Sequence, residues 1–271
     1  MFKHGSHPDD LAPIKASARK PLKLTALPST LAYGLEYILK LVLPQTCLLC
    51  GIRLNTQQEH PYLCVECTRA CSKQPVAACQ LCAEPFQAAS AITHQCGQCT
   101  ISPPPFIWLK TIGLHTDQLQ HAIQRLKYAG QFQLAEALAH LLLERLQAEI
   151  TEFNPHSIIP VPLHPYRLRS RGFNQSLLIA RRLGAELNIP MDNRHLIRTR
   201  QTSSQTKLNL TQRHQNIHGA FSINAPLSPR RILLVDDVVT TTATCRECSK
   251  TLTQAGHQVA VIALSRASLQ P

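Results

Sequence analysis

LLVDDVVTTTAT, residues 233–244, decides the fold, because an apolar run passes through two aspartates and then into four threonines among five positions. Residues 231–235 are apolar enough for a buried parallel strand, so Asp236 and Asp237 should emerge at its carboxyl end. The chain must then turn into a helix, whose N-terminal N–H groups attract anions while threonine hydroxyls add donors. The stretch therefore predicts a phosphate site, with carboxylates that suit ribose hydroxyls or a Mg²⁺ held by a diphosphate. A helix N-cap above a buried acidic pair is the plainer alternative.

Strand and helix patterns alternate on both sides of this stretch. Apolar runs predict further strands at residues 106–115, 157–163 and 258–265. Periodic apolar positions predict helices at residues 117–128, 131–150, 175–187 and 243–255. This order predicts an α/β fold, a mainly parallel sheet with helices on both faces, with ligands at the carboxyl ends of the strands.

Eight of the eleven cysteines form four Cys-x2-Cys pairs with a regular spacing. Thirteen residues separate the two pairs in each half of the pattern, and the second half repeats the first at an offset of 32 residues. Two such pairs can meet as a tetrahedron of sulfurs, which suits zinc because zinc has no other geometric preference. We therefore predict two structural Zn²⁺ sites, one formed by Cys47, Cys50, Cys64 and Cys67 and the other by Cys79, Cys82, Cys96 and Cys99.

Alternatives to this pairing stay open from the sequence. A sulfur tetrahedron also serves an iron–sulfur cluster, the ligands of the two repeats could interleave, and Cys71 lies close enough in the chain to replace a neighbour. A fifth pair, Cys245 and Cys248, lies in a predicted helix at helical spacing. We interpret that pair as small buried residues and not as metal ligands.

The chain is basic, and its positive charge is clustered. It has 271 residues, of which 28 are Lys or Arg and 16 are Asp or Glu, giving a formal net charge of +12. Residues 161–231 hold twelve Lys or Arg against two acidic residues. Clustering of this kind favours an anionic partner, either a phosphate ligand or nucleic acid.

Three regions are expected along the chain. Residues 1–30 should be a flexible basic tail, residues 31–105 an amphipathic helix and the zinc-binding module, and residues 106–271 the sheet domain. The apolar run 31–43 carries Glu36 and Lys40 and stops at Pro44, so it should not span a membrane. The N-terminus has no secretion-signal pattern, and we expect a cytoplasmic protein, with peripheral association at the inner membrane left open.

The stretch LLVDDVVTTTAT resembles the ribose-phosphate signature of type I phosphoribosyltransferases. PVPLHPYRLRSRGFNQ at residues 160–175, RLKYAG at residues 125–130 and the paired Cys-x2-Cys motifs upstream are similar to the ComF family of bacterial competence proteins. This resemblance covers about residues 39–267. It implies a type I phosphoribosyltransferase-like domain behind a small cysteine-rich zinc-binding module, with a site for phosphoribosyl pyrophosphate and Mg²⁺.

The resemblance assigns roles to residues of this chain. It implies that Asp236 and Asp237 face the ribose hydroxyls. It implies that the 5′-phosphate lies against Thr240, Thr241, Thr242, Ala243 and Thr244. On the pyrophosphate side it implies a loop containing Arg171, Gly172 and Asn174, where the guanidinium offers a planar fork to phosphate oxygens.

Two residues are ambiguous at this level. Lys127 is either a further phosphate contact or a surface cation that snorkels from its helix. The family usually has glycine at the position of Thr242, where a positive φ costs a β-branched residue about 1–2 kcal/mol. We expect such strain here, and a negative φ with the hydroxyl donating to phosphate is the alternative.

Three functions fit these observations. The first is the handling of incoming single-stranded DNA in natural transformation, with backbone phosphates bound by Arg167, Arg169, Arg171, Arg198, Arg200, Lys207 and Arg213. The second is an active phosphoribosyltransferase, a glycosyltransferase of nucleotide metabolism or salvage, whose acceptor base the sequence does not name. The third is a scaffold whose zinc module docks a protein such as a DNA-translocation ATPase. Whether the chain is an enzyme is undecided at this level.

Overall fold

A computed structural model describes residues 45–55, 60–86, 94–201, 216–225, 227–228 and 230–268. The predicted helix at residues 31–43, Lys207 and Arg213 lie outside these residues. From Thr46 onward the chain belongs to one compact unit. The expected domain boundaries at residues 30 and 105 stay predictions.

The described residues form seven named helices and eight strands. In chain order these are α1 (Val65–Cys71), β1 (Ala77–Ala78), β2 (Pro85–Phe86), α2 (Gly97–Ile101), β3 (Leu109–Leu114), α3 (Asp117–Tyr128), α4 (Gln133–Phe153), β4 (Ser157–Pro160), α5 (Pro165–Arg171), α6 (Gln175–Leu187), β5 (Leu196–Arg198), β6 (Phe221–Ile223), β7 (Arg231–Val239), α7 (Ala243–Gln254) and β8 (Gln258–Arg266). Four strands form a parallel sheet in the order β3-β8-β7-β4, and β1–β2 and β5–β6 are antiparallel pairs. The predicted α/β class is confirmed.

The central strands β7 and β8 are buried on both faces, as their continuous apolar sequences require. Alternate residues of β7 enter different cores: Leu233 and Val235 pack on one face, and Ile232 and Leu234 pack on the other. Helices α3, α4 and α6 cover the first face, and α7 with the β5–β6 pair covers the second. No helix in the described ranges is long and apolar enough to cross a bilayer.

Strand β7 is longer than the sequence predicts. It continues beyond residue 235 and pairs with β8 as far as Val239, which lies opposite Arg266. Asp236 and Asp237 therefore lie inside the strand and not beyond its end. The prediction was wrong because β8 also continues past its apolar run, and its backbone offers ladder hydrogen bonds to residues of any polarity.

The cysteine-rich segment wraps around the edge strand β3. The N–H groups of Leu114 and Leu109 donate to the carbonyl oxygens of Lys73 and Leu81, at 3.0 and 2.8 Å, and the side chain of Gln74 donates to the carbonyl of β3 residue Ile112. The edge of the sheet is thus paired with the chain that joins the two halves of the cysteine pattern. Cysteines of the first half pack in the core of the α3–α4–α6 face, and those of the second half pack in the core of the α7 face.

Candidate functional site

The eight paired cysteines form two separate groups, each within one repeat. In each group the four sulfur atoms lie within 4.8 Å of one another. The Sγ atoms of Cys50 and Cys64 are 3.6 Å apart, and those of Cys82 and Cys96 are 3.7 Å apart. A tetrahedral zinc ion with Zn–S bonds of about 2.3 Å places its sulfurs roughly 3.8 Å apart. Both groups therefore fit a four-cysteine site, and their ligands do not interleave.

Both groups are built in the same way. The first pair of each lies in a tight turn, closed at 2.9 Å by the N–H of Gly51 to the carbonyl of Cys47 and by the N–H of Ala83 to the carbonyl of Cys79. The second pair begins a short helix, with Cys64 as the N-cap of α1 and Cys96 as the N-cap of α2. The repeat in the sequence is thus a repeat in structure. We name the groups the first cluster (Cys47, Cys50, Cys64, Cys67) and the second cluster (Cys79, Cys82, Cys96, Cys99).

The three remaining cysteines are buried and belong to neither cluster. Burial raises the pKa of the Cys71 thiol to about 12, and burial also raises the pKa values of Cys245 and Cys248. The sulfur of Cys71 is not in either group of four, so Cys71 does not replace a ligand. Cys245 and Cys248 pack as small core residues of α7.

His60, His140 and Glu144 bring three further potential metal ligands together. The His60 ring is already occupied, because Nδ1 accepts hydrogen bonds at 3.1 and 3.0 Å from backbone N–H groups two and three residues further along the chain. Its Nε2 lies 3.2 Å from the carbonyl oxygen of Ala137 in α4. Burial lowers the pKa of His60 to about 4. We interpret His60 as a neutral residue that fixes the first cluster to α4.

The adjacent aspartates lie in different surroundings, since successive side chains of a strand point to opposite faces. Asp236 is 8% exposed, and its Oδ1 accepts from the N–H of Asp237 at 2.8 Å and from the hydroxyl of Ser176 at 3.4 Å. Burial and the neighbouring negative charge raise the pKa of Asp236 to about 7. Asp237 is only partly buried, and its Oδ2 lies 2.9 Å from Nζ of Lys127. Of the two carboxyl groups, Asp237 is the more exposed.

Residues 240–244, which we name the threonine loop, follow β7 and include the first two residues of α7, so the chain turns from strand to helix here as predicted. They surround a concave space of about 20 Å³, which is also lined by Asp236. That volume admits roughly one oxygen-sized group. The loop leads into the N-terminus of α7, a twelve-residue helix whose dipole and N–H groups favour an anion.

Thr242 has a φ of 60°, in the left-handed region. This is the positive φ that we expected to strain a β-branched residue at this position. Its hydroxyl is engaged twice: it donates to the carbonyl of Thr241 at 2.6 Å and accepts from Nε of Arg246 at 3.1 Å. These bonds offset part of the conformational strain. Because the Thr242 hydroxyl already donates its hydrogen to Thr241, it does not donate to a phosphate in this conformation, as the alternative with a negative φ had proposed.

The predicted pyrophosphate-side loop joins α5 to α6. Gly172 ends α5 with a φ of 82°, a conformation that glycine adopts without strain. Asn174 is the N-cap of α6, because its Oδ1 accepts from the N–H of Ser176 at 3.1 Å. Its Nδ2 donates to the carbonyl of Val161 at 3.0 Å. Asn174 therefore fastens the loop to the chain that leaves β4, and its side chain is not offered to a ligand.

An exposed surface combines arginine and aromatic side chains. Helix α5 has no buried residue, and Tyr128 and Phe132 are 76% and 51% exposed. The guanidinium of Arg171 lies 5.5 Å from the ring centre of Tyr128, and Phe132 contacts Phe173 edge to face at 4.8 Å. We name this the arginine–aromatic surface; its residues are Tyr128, Phe132, Tyr166, Arg167, Arg169, Arg171 and Phe173. Exposed rings beside guanidinium groups suit stacking with nucleic-acid bases.

Two of the predicted nucleic-acid contacts are placed elsewhere. Arg198 is 8% exposed, and its guanidinium lies 5.4 Å from the ring centre of Phe221, so it packs within the β5–β6 pair and not on an open surface. Arg200 is exposed and donates to the carbonyl of Asn216 at 3.0 Å. Neither belongs to the arginine–aromatic surface.

Three residues beside the threonine loop escaped the sequence reasoning. Ser176 donates to Asp236, Arg246 donates to Thr242, and Arg266 donates to the carbonyl of Thr240. Of the three, only the contact of Arg246 could have been predicted from the sequence, since Arg246 follows Thr242 by four residues, one helical turn. The other two come from distant elements and meet the loop only through the fold.

The chain is similar to several curated proteins, although no protein-family model matches it. It is 35% identical over 222 residues to DNA utilization protein YhgH of Escherichia coli (strain K12), covering 80% of this chain and 94% of that protein. It is 37% identical over 181 residues to competence protein F of Haemophilus influenzae, covering 64% of this chain and 79% of that one. It is 24% identical over 222 residues to competence protein ComFC of Streptococcus pneumoniae, covering 78% and 94%.

Solved structures of phosphoribosyltransferases are also similar. Orotate phosphoribosyltransferase from Aeropyrum pernix has a TM-score of 0.33 and 18% identity, covering 51% of this chain and 62% of that one. Adenine phosphoribosyltransferase from Saccharomyces cerevisiae has a TM-score of 0.32 and 14% identity, covering 52% and 71%.

Proposed function

The chain belongs to the ComF family of competence proteins, and from this membership we propose that it handles incoming single-stranded DNA on the cytosolic side of the membrane. We further propose that its threonine loop binds phosphoribosyl pyrophosphate or a nucleotide. One observation carries the proposal: helix α3 links the arginine–aromatic surface to strand β7, which leads into the threonine loop. Tyr128 of that surface directly follows Lys127, whose ammonium group pairs with Asp237.

Single-stranded DNA is the polymer that this surface suits best. The guanidinium groups of Arg167 and Arg169 supply the charge for backbone phosphates, and Tyr128 and Phe132 expose rings on which bases stack. Stacking tolerates every base, so little sequence preference follows. The affinity should fall steeply with salt, since phosphate contacts release bound counterions.

The threonine loop suits the phosphate of a ribose phosphate. The phosphate would lie at the N-terminus of α7, and the ribose hydroxyls would meet Asp237, which is the more exposed of the two carboxylates. Asp236 would support that carboxylate from within the core. The described carboxylates do not form a Mg²⁺ site of their own, because Asp236 is buried and Asp237 is paired with Lys127. We therefore assign Mg²⁺ to the diphosphate oxygens of the ligand.

We assign one structural zinc ion to each cluster. The sulfur spacings support the assignment, and four thiolates leave no open position for catalysis. Apolar residues beside the first cluster cover it: Leu63 is 1% exposed, and Leu48 and Leu49 pack against the core. This packing weakens the alternative in which the zinc module docks a translocation ATPase through those side chains.

The deciding experiment is a pair of binding titrations, with phosphoribosyl pyrophosphate and with a single-stranded oligonucleotide, run separately and in competition. We expect the oligonucleotide to bind with a steep salt dependence and Arg169→Gln to reduce the salt slope by about one. Arg145→Gln, an exposed arginine of α4, is the matched control. Equal binding by the Arg169 and Arg145 variants would contradict the surface assignment.

An active phosphoribosyltransferase is the second candidate, favoured by the concave space that the threonine loop forms with Asp236. Pyrophosphate release that depends on one particular base would support it over the first function. If neither ligand binds, the scaffold function is the remaining proposal, and a translocation ATPase is the partner to test.

A further inference from the structure

Arg246 of α7 joins the second cluster to the threonine loop. Its Nη2 donates toward Sγ of Cys99 at 3.7 Å, and its Nε donates to the hydroxyl of Thr242 at 3.1 Å. One planar guanidinium therefore spans a predicted zinc ligand and the N-cap of the helix at which an anion would bind. Four thiolates around one zinc dication leave net negative charge, which the guanidinium faces from the side of the loop.

Arg266, at the end of β8, makes a second link. Its guanidinium donates to the carbonyl oxygen of Thr240 and forms an ion pair with Glu84. Glu84 is part of the turn of the second cluster, because its carbonyl oxygen accepts from the N–H of Cys79 at 2.8 Å. Arg266 is only 2% exposed, so this ion pair is shielded from water and holds its geometry.

The two links connect the same two parts of the molecule by separate routes. Cys99 and Glu84 come from different segments of the second cluster, and Thr242 and Thr240 come from the two ends of one short turn. The first cluster lies in the opposite core, and its link, from Arg125 of α3 to the carbonyl of Leu49 at 3.0 Å, does not touch the loop. The two clusters therefore differ in their relation to the site, although they are built alike.

We propose that Arg246 and Arg266 are positioning residues that couple the closed second cluster to the shape of the threonine loop. When all four cysteines of that cluster hold their metal, the two guanidinium groups keep the carbonyl of Thr240 and the hydroxyl of Thr242 in place. Opening the cluster releases both contacts and loosens the loop. The consequence for ligand binding rests on the proposed function, whereas the coupling itself concerns only the chain.

The test is hydrogen exchange of the full chain with its metal bound, followed in a peptide spanning residues 238–246. Arg246→Gln should speed exchange of this peptide roughly fivefold, the equivalent of one lost hydrogen bond of about 1 kcal/mol. Exchange in the peptide over residues 258–264 and the metal content should stay at parental values. Lys250→Gln, an exposed cation of the same helix, is the matched control.

A comparison between the clusters completes the test. Cys99→Ala should speed exchange in the loop peptide more than Cys50→Ala does, because within the described residues Arg246 and Arg266 link the loop to the second cluster and not to the first. Parental exchange in Arg246→Gln, or equal acceleration by the two cysteine variants, would overturn the proposal. Phosphoribosyl pyrophosphate binding is measured in parallel: failure of the parent to bind it would refute the proposed ligand while the exchange data still decide the coupling.

Discussion

Nζ of Lys127 lies 2.9 Å from Oδ2 of Asp237, so this lysine is neither a free surface cation nor committed to a ligand phosphate. Lys127 directly precedes Tyr128 of the arginine–aromatic surface, and Asp237 lies in β7, the strand that leads into the threonine loop. Both side chains are mostly buried, with 17% and 16% exposure, so the ion pair is less screened than one on an open surface. A ligand that brings its own negative charge would compete for the ammonium group.

We expect Asp237→Asn to weaken phosphoribosyl pyrophosphate binding by roughly tenfold or more, because it removes the more exposed carboxylate at the site. The double variant Asp236→Ala, Asp237→Ala should abolish binding while the fold persists. Calorimetry with Mg²⁺ present measures both, and circular dichroism checks the fold. Unchanged binding by the double variant would remove the ribose assignment.

Two substitutions of Thr242 separate the effect of backbone strain on stability from the effect of the hydroxyl's hydrogen bonds. Thr242→Gly and Thr242→Ala both lose the hydroxyl that contacts Thr241 and Arg246. They differ in the cost of a φ of 60°, which glycine adopts freely. The glycine variant should therefore be more stable than the alanine variant by about 1 kcal/mol, measured by urea unfolding. Equal stabilities would mean that the backbone at residue 242 is not strained.

The raised pKa of Asp236 predicts a pH dependence of stability. Burial, the first cause, and the charge of Asp237 move this pKa from 3.8 to about 7, so the folded state keeps a proton that the unfolded chain releases. The contribution is fully present below about pH 4 and is lost as the pH rises to about 7.

Asp236→Asn removes this titration and leaves every other group in place. The unfolding free energy of the parent minus that of the variant should therefore fall between pH 4 and pH 7, by on the order of 4 kcal/mol, and stay constant above pH 7. Denaturant unfolding at several pH values measures the difference. A difference that rises over this interval would show that the carboxylate is stabilised, and not penalised, by its surroundings.

Two metal ions per chain are expected by elemental analysis, and their removal should destabilise the sheet itself. Cysteines from the two clusters pack in the cores on both faces, so loss of the metals would disorder both. Cys245→Ala should leave the metal content at two, since that thiol belongs to neither cluster. A folded sample with neither zinc nor iron would refute the clusters as metal sites, and iron together with acid-labile sulfide would identify iron–sulfur clusters.

Gly113 of β3 tests the contact between the sheet edge and the cysteine-rich segment. A Cβ atom at this position would lie 2.8 Å from the carbonyl oxygens of both Cys71 and Lys73. Gly113→Ala should cost about 2–3 kcal/mol, because backbone atoms cannot rotate away as a side chain can. Gly97→Ala is the control, as its Cβ would meet no atom within 4 Å. Thermal unfolding compares them, and equal midpoints would argue against the packed edge.

The sequence by itself determined the features that depend on local pattern. Alternation of apolar runs and helical periods gave the α/β class, and the repeat of the Cys-x2-Cys pairs gave the eight candidate ligands, because such patterns need no knowledge of distant residues. The structure decided how the eight ligands are grouped. The turn from β7 into α7 was predictable for the same reason. Short elements such as α1, α2 and α5 were missed, since they hold too few residues to show a period.

Only the tertiary structure decided how these parts meet. It extended β7 through the two aspartates, buried Asp236 and left Asp237 beside Lys127, and placed the clusters in opposite cores. In the tertiary structure Arg198 packs against Phe221 in the β5–β6 pair, and Arg266 donates a hydrogen bond to Thr240 of the threonine loop. Each outcome depends on contacts between segments far apart in the chain. Strand pairing and burial fix those contacts, and a local pattern of residues does not encode them.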